Sequence, residues 1–301
     1  MSHYYEPSKR FSLGGVLLVL LVGPLVAALL AVIYVYAVWY IPFIYINVLF
    51  TVGFGVVLGA VISRLVKAGK LRYPGLVALL ALGVGLVACY LQWALYLTLI
   101  FNTTSVDSLG SRASVAHTSF DAETLLGLLV SPGLMLSTMA ELAKEGSWSI
   151  FKVTPTGFFL YLIWLIEAGI IVGATVILGW LQAKHPFSEA AHEWAEDELL
   201  PGPVAYLPDA DATKAALEAG DFSALQPPLP EAPGHQFARL KLHCAPNDPE
   251  CAFLSLENVT VTTDAKGKTS ESTTNVVEHL RVSAARCQEL RGRYHAAQVV
   301  S

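Results

Sequence analysis

Charge is nearly missing from four long parts of this chain. Gly14–Tyr36 and Pro74–Ile100 contain no Asp, Glu, Lys or Arg, Phe43–Val66 contains only Arg64, and Gly157–Leu181 contains only Glu167. Each run is about as long as the ~17–25 apolar residues that cross a bilayer as a helix. Runs of that length without a polar face argue against a soluble core. Cysteine is also scarce. Four in 301 residues exclude a disulfide-stapled scaffold. Cys89 sits inside the third run as a small apolar filler. Cys244, Cys251 and Cys287 lie in the C-terminal part, where a cytoplasmic location keeps them reduced. Catalytic signatures are missing too: there is no nucleophile elbow, glycine-rich dinucleotide loop or paired-carboxylate arrangement. The sequence therefore predicts a non-enzymatic protein with no cofactor.

What is present is hydrophobic: 54% of residues, with a mean hydropathy of +0.54. This composition belongs to membrane proteins. The expected fold class is a membrane α-helical bundle of four transmembrane helices with a small C-terminal cytoplasmic α+β module. Residues 1–184 carry a net charge of +3 and residues 185–301 one of −8, which separates a basic membrane domain from an acidic soluble part. An acidic module stands off anionic headgroups and is a poor nucleic-acid binder, because phosphate contacts dominate that affinity.

Lys9 and Arg10 precede the first run as in a signal peptide. The run is too long, however, and ends in Tyr34-Val35-Tyr36-Ala37-Val38-Trp39-Tyr40 instead of a small-residue cleavage site, so it reads as a retained span. Arg64, Lys67, Lys70 and Arg72 crowd the second link, whereas the first has aromatic residues around Pro42 and no Lys or Arg. The positive-inside rule then places both termini in the cytoplasm and the loop 102–156 outside. Within that loop, Ser131-Pro132 opens a helix that Gly146 ends. With Leu125–Val130 before it, this segment lies along the outer membrane surface or forms a small lid packed on the bundle. Trp148, Phe151 and Phe158 lead back into the membrane.

Gly55 with Gly59, and Gly169 with Gly173, are small-xxx-small pairs where helices approach closely. They serve packing within the chain or a homo-oligomer. Glu167 is the one acid within a span. A carboxylate there is costly and faces protein or a wet cavity. Asn47, Thr51, Tyr90, Gln92 and Tyr96 are its candidate partners. It acts in a proton- or cation-linked transport path, or as a protonated carboxyl joining helices.

The C-terminal part has two sections. Residues 185–235 read as an acidic helical and Pro-rich linker, with Ser188 capping a helix over Glu189–Leu199, a short helix over Ala212–Gly220 and a stiff connector over Pro227–Gly234. Residues 236–301 read as the α+β module. Ala238, Leu240, Leu242 and Cys244 alternate with Phe237, Arg239, Lys241 and His243 in a first strand. A second strand covers Ala252–Thr263, with a parity switch that predicts a β-bulge near Glu257-Asn258. A turn at Asp264–Lys268, a third strand over Thr273–Val282 and a helix begun by Ser283 complete it.

Three constellations bear on chemistry. Lys266-Gly267-Lys268-Thr269 resembles the end of a phosphate loop, but Thr262 stands where its first glycine belongs and no helix follows. Cys244 and Cys251 bracket a Pro-containing turn and offer half a zinc site, with Cys287 and His243 as further ligands. Glu189 and His192 have the Glu-x-x-His spacing that places two metal ligands on one helix face. A plain turn and a solvated acidic helix are the simpler readings of these last two.

Tyr5-Glu6-Pro7-Ser8, Ile41-Pro42-Phe43-Ile44-Tyr45-Ile46-Asn47 and Glu145-Gly146-Ser147-Trp148-Ser149-Ile150, with four spans in this spacing, resemble a group of bacterial inner-membrane proteins of uncharacterised activity. The resemblance implies location and architecture and no catalytic residue. The expected function is a membrane anchor or sensor presenting a cytoplasmic module to a protein partner. The alternative is a small transporter or channel component that uses Glu167.

Overall fold

The computed structural model describes residues 3–41, 44–108, 114–146, 154–202, 204–225, 235–264 and 266–299. It comprises two compact units: Lys9–Ala183, and the N-terminal residues up to Ser8 together with Lys184–Ser301.

In the first unit, α1 (Leu13–Tyr40), α2 (Ile44–Ala68) and α3 (Pro74–Phe101) follow one another. A hairpin of β1 (Thr103–Ser108) and β2 (Ser114–Thr118), then α4 (Ala122–Val130) and α5 (Pro132–Glu145), lead to α6 (Gly157–Lys184). The long helices α1, α2, α3 and α6 have mean hydropathies of 2.2 to 3.1 and are long and apolar enough to cross a membrane. At ~1.5 Å per residue, 25 to 28 residues exceed the ~30 Å of a hydrocarbon layer.

Packing in this bundle follows a stripe of small residues. Gly15, Val19, Gly23, Ala27, Ala31 and Val35 recur every fourth position of α1 and are buried, while Leu17, Leu21, Leu25 and Leu29 on the other side are exposed. Such a stripe lets backbones approach closely. A Cβ on Gly15 would lie 2.5 Å from the Gly69 carbonyl oxygen. Ser12 caps α1 by accepting from Gly15 N–H at 2.9 Å and donates to Gly69 O at 2.8 Å. This contact brings Lys9 and Arg10 to the same end of the bundle as Lys67, Lys70 and Arg72, where Arg72 N–H also bonds Arg10 O. Gly55 and Gly59 lie against α6, where added Cβ atoms would meet Ile170 O at 3.0 Å and Ala174 O at 2.7 Å. Gly169 and Gly173 do not pack in this way. Both face open space, because the buried stripe of α6 runs through Trp164, Ile171, Thr175, Gly179 and Ala183.

The α4–α5 pair bends by 103° and packs on α3 as a lid. Tyr90 donates to the carbonyls of Leu128 and Leu129 at 3.0 and 3.1 Å, and Leu128 and Met135 bury against Ala94 and Leu97. Asp121 caps α4 through Thr124 N–H at 2.8 Å, and Gly146, at φ +88°, ends α5. Trp148 and Phe151 fall outside the described residues, as do Pro42 and the connector 227–234.

The second unit is built on an antiparallel sheet. Its elements are β3 (Phe187–Ser188), β4 (Glu193–Trp194), β5 (Glu196–Leu199), β6 (Val204–Ala205), α7 (Ala210–Glu218), β7 (Gln236–Ala245), β8 (Asp248–Thr263), β9 (Thr269–Arg281) and α8 (Ala284–Val299). The order is β5-β7-β8-β9, with β6 also paired to β7. So the expected three strands form, and two more come from the segment read as a helical linker. The expected helix over Glu189–Leu199 is absent. Ser188 Oγ does accept Ala191 N–H at 3.0 Å, but the bond closes a turn between β3 and β4, which the Phe187 and Trp194 rings clasp at 5.0 Å. The short helix expected near 212–220 is α7, capped by Asp209.

One sheet face carries the core: Leu240, Leu242, Leu254, Leu256, Val276 and Leu280 bury against Leu217, Leu225, Leu290 and Tyr294. The turn at 264–268 is a hairpin whose Gly267 takes φ +78° and whose Asp264 carboxylate accepts Lys266 and Lys268 N–H, so the phosphate-loop likeness is a β-turn. The expected irregularity is present between Leu256 and Glu257, but its extra residue, Val276, lies on β9 and not β8, and a second surplus follows it on β9. Leu254 pairs Leu280 and Leu256 pairs Val277, so Glu278 and His279 stand opposite Ser255 alone. The chain's N-terminus closes this end: Tyr5 N–H bonds His279 O at 3.0 Å and Arg281 N–H bonds His3 O at 2.8 Å.

Candidate functional site

In the helical unit, four helices each supply one residue to a polar cluster around Glu167. Tyr34 of α1 donates to Glu167 Oε1, and Gln92 Nε2 of α3 approaches the same oxygen at 3.4 Å. The Tyr34 hydroxyl is also 3.1 Å from Thr51 Oγ1 of α2, which donates to Asn47 O at 2.9 Å. Gln92 and Thr51 are buried and Glu167 is half-buried. Of the expected partners, Gln92 bonds directly and Thr51 through Tyr34. Asn47 contributes its backbone, and Tyr90 bonds the α4 carbonyls instead. Tyr34 is not among the partners expected from the sequence. Its position three residues past Ala31 on the buried stripe of α1 is the signal that places it inside.

The second unit holds a cluster that sequence spacing does not announce. His185, His243 and His279 each offer a ring nitrogen, and these atoms lie within 4.8 Å of one another. His243 is the buried member, on the β7 face opposite the core. His279 comes from the β9 bulge with a backbone φ of +54°, a left-handed conformation that few non-glycine residues adopt. Bulges re-aim side chains in this way. His185, the first residue after α6, is held by Nε2 donation to Ala195 O at 2.9 Å. The rings meet edge to face, with His243 and His279 centroids 4.6 Å apart.

Two groups orient the cluster. His243 Nδ1 donates to Asp197 Oδ1 at 2.6 Å, and His185 Nε2 stands 3.3 Å from the same oxygen. Ser255 Oγ accepts His279 N–H at 3.0 Å and lies 2.9 Å from His243 Nε2. A carboxylate accepts only, so it fixes His243 with its proton on Nδ1, and Ser255 donates its hydroxyl proton to Nε2. Burial pushes the His279 imidazole down to about 3, helped by His243 and His185 beside it. For Asp197, burial pushes upward, but the His243 hydrogen bond and the nearby His185 outweigh it and leave the carboxyl below its usual value.

The other metal candidates are not assembled. Cys244 pairs with Ala252 across the strands, so Cys251 falls on the opposite face. Cys244 Sγ instead lies 2.9 Å from Cys287 Sγ, and both thiols are free. The Cys244 hydrogen bond draws Cys287 down to about 7, and burial pushes Cys251 up to about 11. Glu189 and His192 sit in the β3–β4 turn, with His192 at φ +53°, and share no helix face. Among the described residues, the histidine trio is the group with metal-ligand spacing. Comparison with known protein families, curated proteins and solved structures finds no match to this chain.

Proposed function

We propose that the chain is a multi-pass protein of a bacterial inner membrane, with both termini cytoplasmic, whose four helices anchor a sheet module that binds a protein partner or senses a membrane state. The observation that carries this reading is the outward leucine face of the helices. Leu17, Leu21, Leu25 and Leu29 are 56–71% exposed on a helix of mean hydropathy 3.1, a surface for which lipid is the natural solvent. The basic groups at one end of the bundle support the orientation. The acidic sheet unit supports a protein partner over nucleic acid. Its open cleft of about 570 Å3, lined by Leu199, Phe237, Arg239, Val261 and Glu271, offers a contact surface. Activity reporters fused at each terminus of the full chain test the topology, and both should report the cytoplasm. Reporters on opposite sides, or a chain that stays dispersed without detergent, overturn it. Crosslinking of the full chain in membranes should capture a specific protein at the sheet unit.

A second reading, transport through Glu167, draws on Asn47 Oδ1 and Gln92 Oε1, buried acceptors without a donor among the described residues. Donors from two helices on Glu167 favour the joining role. Glu167→Gln in reconstituted vesicles separates the two, since unchanged flux and pH dependence eliminate transport.

A further inference from the structure

We propose that His185, His243 and His279 form a binding site for a divalent transition cation of the zinc class. The inference concerns the sheet unit and stands whether or not the helices anchor it in lipid. It rests on four features of the site. Three imidazole nitrogens already converge within 4.8 Å. Zinc–nitrogen bonds of ~2.0–2.1 Å in a tetrahedron place ligands roughly 3.4 Å apart, so modest side-chain rotations close the set. The donors are neutral nitrogens, which suit zinc, cobalt, nickel or copper and not the oxygen-seeking magnesium and calcium.

The second feature is the carboxylate behind the ligand. Asp197 accepts a hydrogen bond from His243 Nδ1–H at 2.6 Å, the arrangement that orients metal-binding histidines and raises their basicity. With the proton on Nδ1, the Nε2 lone pair of His243 is left for a cation, where the Ser255 hydroxyl now meets it. Metal binding exchanges that hydroxyl for the cation. Third, the backbone is bent to build the cluster. The β9 bulge places two residues opposite Ser255, and His279 sits in the left-handed region. Fourth, the site has both a wall and a door. His243 is 4% exposed, whereas His185 is 21% and Asp197 49% exposed, so an ion enters from the side of β5. Three protein ligands leave a fourth position for water or an exogenous ligand.

The test uses the full, untagged chain in detergent, stripped with chelator and titrated with cobalt(II) and then zinc(II). The expected result is one saturable equivalent of cobalt. Its spectrum should be that of a nitrogen–oxygen tetrahedron without a thiolate charge-transfer band, and zinc should displace it. His185→Ala, His243→Gln and His279→Asn should each weaken binding at least about tenfold, and Asp197→Asn by about 10–100-fold. Asn is chosen at position 279 because it tolerates the left-handed backbone. His192→Ala and His235→Ala should bind as the parent does. Absence of saturable binding in the parent chain, a thiolate band, or undiminished binding in the histidine variants overturns the proposal. Should a histidine variant fail to fold, the partly exposed Asp197→Asn decides: parental affinity there overturns it.

Discussion

Glu167 illustrates how a single group is made tolerable by its neighbours. Its oxygen receives Tyr34 and Gln92 from two other helices, so the cost of the polar group is offset by bonds that tie the bundle together. Glu167→Gln keeps an acceptor for Tyr34 and should change thermal stability in detergent little. Glu167→Leu leaves the Tyr34 hydroxyl and Gln92 amide facing an apolar side chain and should lower stability by about 1–3 kcal/mol. At His279 the sign of the pH effect follows from its lowered value. The unfolded chain takes up a proton near the ordinary 6.5, and the folded one only near 3. Its stabilising contribution is complete above about 6.5 and fades as pH falls toward 3. Asp197, also held below its usual 3.8, acts in the same direction at lower pH. In chelator, amide exchange of β8 and β9 should therefore speed up between pH 7 and pH 5 after correction for intrinsic rates. The imidazole of His279 should still be neutral at pH 5 by NMR.

Elements are placed by which face is small and which is apolar. The two glycine pairs look alike in sequence, yet one packs and the other does not. A Cβ at Gly59 would meet Ala174 O at 2.7 Å and Leu178 Cδ1 at 2.8 Å, whereas one at Gly173 meets nothing within 4 Å. Gly59→Val should destabilise the bundle by about 1–3 kcal/mol. Gly173→Ala should be neutral or slightly stabilising, since Ala is the better helix former. Thermal unfolding in detergent compares them. The sheet strands were legible because core residues alternate in β7, and the Asp264–Lys268 turn announces its hairpin. The irregularity expected near Glu257 is there, between Leu256 and Glu257, but its surplus residue, Val276, is on β9. The parity switch of β8 reflects burial on both faces, with Phe253 and Ser255 buried as well as Leu254 and Leu256, while the surplus residues are on β9. Glu189–Leu199 looked helical because of its acidic start behind Ser188. Pairing of Glu196–Leu199 with β7 overrides that weak local preference.

At the scale of the whole chain, the N-terminus and the C-terminal sheet belong to one unit. His3 and Tyr5 bond the β9 end at Arg281 and His279, and Tyr4 donates to Glu218 of α7 at 2.6 Å. Deleting residues 1–8 from the full chain should raise hydrogen exchange at Arg281 and leave β7 protected; equal exchange with and without those residues contradicts this. Four long apolar helices and the alternation of β7 were readable from the sequence because helix length, side-chain polarity and the two-residue strand repeat all act on neighbouring residues. The histidine cluster was not. His185, His243 and His279 are separated by dozens of residues, come from a link and two strands, and meet only when β8 lies between its partners and β9 bulges. Periodicity along the chain records which face a side chain takes, but convergence of distant side chains is decided by strand order and register, which exist only in the folded molecule.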